Sequence, residues 1–75
     1  MITPSEIQKL IVAGIPDARV EVKDMTGTGD HFEIAVVSRA FGGKPVLEQH
    51  RMVFSILEKE MQDRIHAVKL KTRTP

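Results

Sequence analysis

The 75-residue sequence predicts a single small α+β domain with the order helix-strand-strand-helix-strand, in which a three-stranded mixed sheet carries both helices on one face. Three observations predict it. Apolar residues recur at spacings of three and four in two segments, they alternate with polar residues in three others, and the longer helical segment lies between the last two strands, where a crossover connection belongs. A chain this short holds one domain, residues 1–75, and its 41% hydrophobic and 28% charged content is that of a folded globular chain.

Thr3-Pro4-Ser5-Glu6 reads as a helix start: Thr3 caps free backbone N–H groups, Pro4 sits where its missing donor costs nothing, and Glu6 completes a capping box. Ile7, Leu10, Ile11 and Ile15 then form one apolar stripe, which Gly14 and Pro16 end. From Ala18 the period changes to two, with Ala18, Val20 and Val22 alternating with Arg19, Glu21 and Lys23. A second strand is expected from Phe32 to Ser38. Between the two lies Met25-Thr-Gly-Thr-Gly-Asp-His31, a hairpin loop whose glycines permit positive φ.

Phe41, Gly42 and Gly43 mark a turn before Pro45 opens the longer helix, expected to run to about Met61. Its predicted inner face is Val46, Leu47, His50, Val53, Phe54, Leu57 and Met61. The third strand is expected over Ile65 to Thr72, with Val68 and Leu70 on one side and Lys69 and Lys71 on the other. If the first two strands form a hairpin and the long helix is a right-handed crossover, the third strand pairs parallel to the second. The starts of those two strands then lie side by side, about 5 Å apart, at the end of the sheet that holds the glycine loop.

Composition narrows the function classes. A net charge of +1 draws in neither nucleic acid nor an anionic membrane from a distance, no apolar run approaches a membrane span, and cytoplasm is the expected address. The absence of Trp, Tyr and Cys leaves little for base-stacking platforms and nothing for a thiolate metal site. Ser5, Ser38 and Ser55 sit in a cap, at a strand end and in a helix, away from any histidine in sequence, and Gly27-Thr28-Gly29 lacks the lysine and helix of a phosphate loop. No catalytic constellation results, so the chain is expected not to be an enzyme.

The histidines carry the chemistry that remains. His50, inside the predicted apolar stripe, reads as a core or boundary imidazole hydrogen-bonded to a backbone carbonyl. His31 ends the glycine loop and His66 begins the last strand, which makes them a candidate pair of metal ligands. Strand parity opposes the pairing: His31 shares a face with Glu33 toward solvent, whereas His66 shares one with Val68 and Leu70 toward the helices. The two are expected to converge only if the loop bends the backbone around His31. Separately, Arg64, Lys69, Lys71 and Arg73, with no acid among residues 64–75, form a basic segment that suits phosphates or simply protects an edge strand.

Three runs, Phe32-Glu-Ile-Ala-Val-Val-Ser38, Phe41-Gly-Gly-Lys-Pro-Val-Leu-Glu-Gln-His-Arg-Met-Val-Phe54 and Arg64-Ile-His-Ala-Val-Lys-Leu-Lys-Thr-Arg-Thr-Pro75, closely resemble the BolA family over essentially the whole chain. The resemblance implies a fold like the type II KH domain and partnership with a monothiol glutaredoxin. It implies a [2Fe-2S] cluster shared between the two proteins, with sulfur ligands from the glutaredoxin cysteine and from glutathione, and an imidazole ligand from His66. Many relatives add a loop cysteine; here the loop offers Thr26, Gly27, Thr28, Gly29, Asp30 and His31, of which His31 is the best substitute. Alone, the chain is expected to hold no cofactor and to be a monomer or weak homodimer. Some relatives are transcription regulators of stress response or cell morphology, which makes weak DNA binding through Arg64, Lys69, Lys71 and Arg73 the alternative, although the Gly-x-x-Gly clamp of KH domains is missing.

Overall fold

The computed structural model describes residues 2–75. Helix α1 spans Pro4–Gly14, strands β1 and β2 span Arg19–Asp24 and His31–Val37, a single 3-10 turn covers Arg39–Phe41, helix α2 spans Val46–Asp63 and strand β3 spans Ala67–Arg73. The order is the predicted one. Among the described residues no helix is long and apolar enough to cross a membrane.

α1 begins as its sequence dictates: the Glu6 N–H donates to Thr3 Oγ1 at 3.2 Å, and the Thr3 N–H donates back to Glu6 Oε1 at 3.2 Å. This box satisfies two of the donors a helix start leaves open. Ile7 and Ile11 of the resulting stripe are fully buried.

β2 is the centre of the sheet, antiparallel to β1 and parallel to β3, in the order β1-β2-β3. Its alternation is complete, with Phe32, Ile34 and Val36 buried toward the helices and His31, Glu33, Ala35 and Val37 on the other, half-open face. Val20, Ile7, Ile11, Val53, Leu57, Phe41 and Ile65 close the same core around it. Each such side chain contributes about 1.5–3 kcal/mol by leaving water, and in a domain this small that shared core is the main source of stability.

α2 differs from the expected phase. Val46 and Leu47, predicted to face inward, are 60% and 62% exposed, and His50 and Phe54 are only half-buried. The buried line is Gln49, Val53 and Leu57, with Met52, Ile56 and Met61 packed beside it. The reason is polar as well as apolar: Gln49 Nε2 donates to the Lys44 carbonyl at 2.8 Å, so the first turn points its amide, not its apolar pair, at the body of the protein. The helix also runs on to Asp63, and its end takes up Ile65, whose N–H donates to the Glu60 carbonyl at 2.8 Å. β3 therefore starts at Ala67 rather than at Ile65.

The rotated phase has a direct check in thermal or urea denaturation. Leu57→Ala should lower stability by about 2–5 kcal/mol, as a cavity in a close-packed core does, whereas Leu47→Ala should stay within about 0.5 kcal/mol of the parent. Comparable losses from the two would restore the phase that periodicity alone suggests.

Candidate metal centre

Parallel pairing of β2 and β3 puts His31 opposite Ala67. The loop between β1 and β2 is built on a carboxylate at its entrance: Asp24 Oδ1 accepts the N–H groups of Thr26 and Gly27 at 3.2 and 2.9 Å, and Oδ2 accepts that of Gly29 at 2.8 Å. Gly27 and Gly29 hold φ of 73° and 77°, a region that costs residues with a side chain, and so let the chain wrap around one acid. The Met25 N–H then closes the hairpin on the His31 carbonyl at 2.9 Å.

The far side of the loop is tied to β3. The Asp30 carbonyl accepts the N–H groups of both His66 and Ala67, at 2.7 and 3.2 Å. His66 lies outside the regular ladder, and this overturns the parity expectation. Ile65 takes the inward position, 3% exposed, and the next inward residue is Val68, so one extra residue separates them and His66 turns out to solvent. The imidazoles of His31 and His66 consequently stand together, with ring centroids 5.3 Å apart and planes inclined at 43°.

Asp30 holds one ring of the pair. Its Oδ1 lies 2.7 Å from His31 Nδ1 and accepts the Thr28 hydroxyl. The Thr28 hydrogen bond first, and the His31 bond second, hold the Asp30 carboxyl below its ordinary range against partial burial, with charge on His31 and His66 adding to the effect. An ionised carboxylate accepts only, so in a neutral His31 the proton sits on Nδ1 and the Nε2 lone pair is free. This is the carboxylate–histidine arrangement that orients metal-binding imidazoles.

Two imidazoles on one tetrahedral metal, through bonds of about 2.0 Å, place their ring centroids roughly 5 Å apart, so the observed separation fits a shared ion. Among the described residues no group of three or more His, Cys, Asp and Glu side chains is arranged to hold a metal. The pair can supply two nitrogen donors and leaves the rest of a coordination shell to other molecules.

Other candidates fall elsewhere. His50 meets Phe54 edge-on, centroids 6.2 Å apart, on the outer flank of α2, and the polar side chain that bonds a backbone carbonyl there is Gln49, not His50. Arg64 is withdrawn from the basic segment: its Nε and Nη2 contact Glu60 Oε2 at 2.7 and 2.6 Å, and Nη1 reaches Glu6 Oε2 at 3.4 Å. Hydrogen bonding to Glu60 raises the Arg64 pKa, and the group joins the end of α2 to the start of α1. Lys69, Lys71 and Arg73 remain exposed on the open sheet face of the edge strand β3. Asp24 and Asp30 are the site residues that periodicity does not reveal; their signal is an Asp at each end of a Gly-rich turn, where Asp24 bonds backbone N–H groups and Asp30 takes a hydroxyl and an imidazole.

A family model described as BolA-like protein matches residues 13–75. The chain is 40% identical over 77 residues to Protein BOLA2 of Arabidopsis thaliana, covering 100% of this chain and 82% of that one. Among solved structures it is similar to a BolA homologue from Coxiella burnetii, with TM-score 0.84, 39% identity and coverage of 100% and 94%. It is similar also to the BolA domain of SufE1 from Arabidopsis thaliana, with TM-score 0.85, 27% identity and coverage of 96% and 91%.

Two expectations follow. Asp24→Ala removes the acceptor of three loop N–H groups, and amide exchange at Gly27 and Gly29 should accelerate while the exchange of β2 stays slow; unchanged loop exchange would show that the carboxylate does not organise the turn. Asp30, depressed in the folded state, contributes stability that is present above its unfolded value near about pH 4 and is lost as pH falls through the lower folded value. An NMR titration should show the Thr28 and His31 signals moving with the Asp30 carboxyl below that pH; a carboxyl midpoint at or above the unfolded value would contradict the assigned hydrogen bonds.

Proposed function

The chain belongs to the BolA family, and from that premise we propose that it is a non-catalytic cytoplasmic partner of a monothiol glutaredoxin, sharing a glutathione-ligated [2Fe-2S] cluster in iron-sulfur trafficking or in iron and redox regulation. The observation that carries this reading is the convergence of His31 and His66 at 5.3 Å, with Asp30 on the rear nitrogen of His31. A chain without cysteine lends itself to iron-sulfur chemistry only where other molecules bring thiolates, and an open, two-donor site suits that division.

When bound, such a cluster supplies one-electron chemistry, at a potential that imidazole ligands raise relative to thiolates. The residues of this chain have separate tasks. His66 presents an exposed ring from a backbone whose N–H is held by Asp30, so the ring is displayed without its strand having to move. His31 is oriented by Asp30, whose negative charge also makes its imidazole a better donor. Each ring would donate through an unprotonated nitrogen.

A second reading, nucleic-acid binding, is favoured by one observation, the exposure of Lys69, Lys71 and Arg73 along one face of β3. Without Arg64 this stripe is short, and binding through it should be weak, sequence-tolerant and steeply salt-dependent.

The test mixes the chain with glutathione-loaded monothiol glutaredoxin and follows visible circular dichroism. His66→Ala should alter the cluster spectrum or its lability while leaving the melting curve nearly unchanged, because an exposed rim side chain adds little to the core. His50→Ala, on the outer flank of α2, should spare the spectrum. An unchanged cluster in His66→Ala, or one lost in a well-folded His50→Ala, would defeat the assignment.

A further inference from the structure

The opposite end of the sheet carries a second feature. Arg19, Val37 and Arg73 stand in one row across β1, β2 and β3, and Arg39 follows on the 3-10 turn. With Asp17 and Pro75 they line a hollow of about 580 Å³, within the range of small-molecule sites. Among the described residues none of the three guanidiniums has a carboxylate partner within 4.0 Å.

The acid at the rim is already committed. Asp17 Oδ1 accepts the Ser38 hydroxyl at 2.6 Å and Oδ2 accepts the Arg39 N–H at 2.9 Å. Ser38 Oγ in turn accepts the Ala40 N–H at 3.0 Å, and the Ser38 N–H donates to the Arg73 carbonyl at 3.0 Å. Ser38 is fully buried, so this network fixes the chain between α1 and β1, the exit of β2 and the end of β3 against one another. The backbones that carry the arginines are thus set in advance, and what is left free is their guanidinium heads.

Three planar donor forks around an open hollow match the oxygens of a phosphate better than any apolar or cationic ligand. The rest of the open face argues against a continuous polyanion track. The next rows inward are Glu21–Ala35–Lys71 and Lys23–Glu33–Lys69, in which Glu21 and Glu33 interrupt the positive charge. At the arginine end the strand row itself holds no acid, and the one acidic side chain at the rim, Asp17, is engaged by the Ser38 hydroxyl and the Arg39 N–H.

We propose that this hollow is a binding site for the phosphate group of a small soluble molecule, with Arg19, Arg39 and Arg73 as its donors. It is separate from the histidine pair and does not depend on it.

The probe is inorganic pyrophosphate, titrated at constant ionic strength into the isotope-labelled chain while NMR follows backbone amides and arginine Nε–H signals. Saturable shifts should be confined to the hollow. Arg39→Ala and Arg73→Ala should each weaken binding by about tenfold or more, the loss expected for a charge-assisted contact, while Lys69→Ala leaves it nearly unchanged. Arg73→Lys should also weaken it, since lysine offers a point charge and no fork. Melting curves verify that each variant is folded; Arg39→Ala retains the backbone bond to Asp17. Non-saturating shifts, or wild-type affinity in Arg73→Lys, would reduce the site to diffuse attraction and overturn the proposal. So would tighter binding of a single-stranded oligonucleotide without a terminal phosphate, with shifts centred on Lys69 and Lys71.

Discussion

Everything at the candidate centre depends on one junction, the Asp30 carbonyl that accepts the N–H groups of His66 and Ala67. It ends the glycine loop, starts the parallel ladder between β2 and β3, and fixes the register that sets Phe32 opposite Val68 and Ile34 opposite Leu70. The buried face of β2 then meets both helices, and α2 becomes the crossover that returns the chain to that junction. Parallel neighbours need such a crossover, and the starts of the paired strands are necessarily brought to the same end of the sheet. A sequence with one histidine at each start therefore displays two imidazoles together, provided the second is turned outward.

That last condition was not legible in the sequence. Alternation places Val20, Phe32, Ile34 and Val36 correctly, and the capping residues Thr3 and Glu6 mark the start of α1, because these signals are local and repeat along the chain. The outward turn of His66 depends instead on Ile65 being drawn into the core at the end of α2, and on the two N–H groups sharing Asp30; neither is a property of β3 alone. The phase of α2 was hidden for a similar reason. Its apolar residues cover a wide arc, and the choice within that arc is made by the Gln49 amide reaching a carbonyl outside the helix. Arg64 reads as part of a basic tail until the folded chain brings Glu6 and Glu60 to it.

The two ends of the sheet are organised by the same device, a carboxylate that gathers backbone N–H groups or a hydroxyl and so sets a loop. Asp24 and Asp30 do this at the histidine end, Asp17 with the buried Ser38 at the arginine end. A core of this size usually leaves only about 3–5 kcal/mol, so loops cannot be held by added apolar burial and are held by hydrogen bonds to acids. The consequence for function is that the exposed groups, imidazoles at one end and guanidiniums at the other, are presented from fixed backbone while remaining open to a partner.

The central claim is that His31 and His66, from the starts of two neighbouring strands, donate to the same metal centre in the proposed shared cluster. Pulsed electron paramagnetic resonance on the reduced glutaredoxin complex, with nitrogen-15 histidine only in this chain, measures that directly. The account predicts two imidazole nitrogen couplings, one lost in His31→Ala and the other in His66→Ala. A cluster without histidine nitrogen coupling from this chain, or couplings that survive both substitutions, would contradict it.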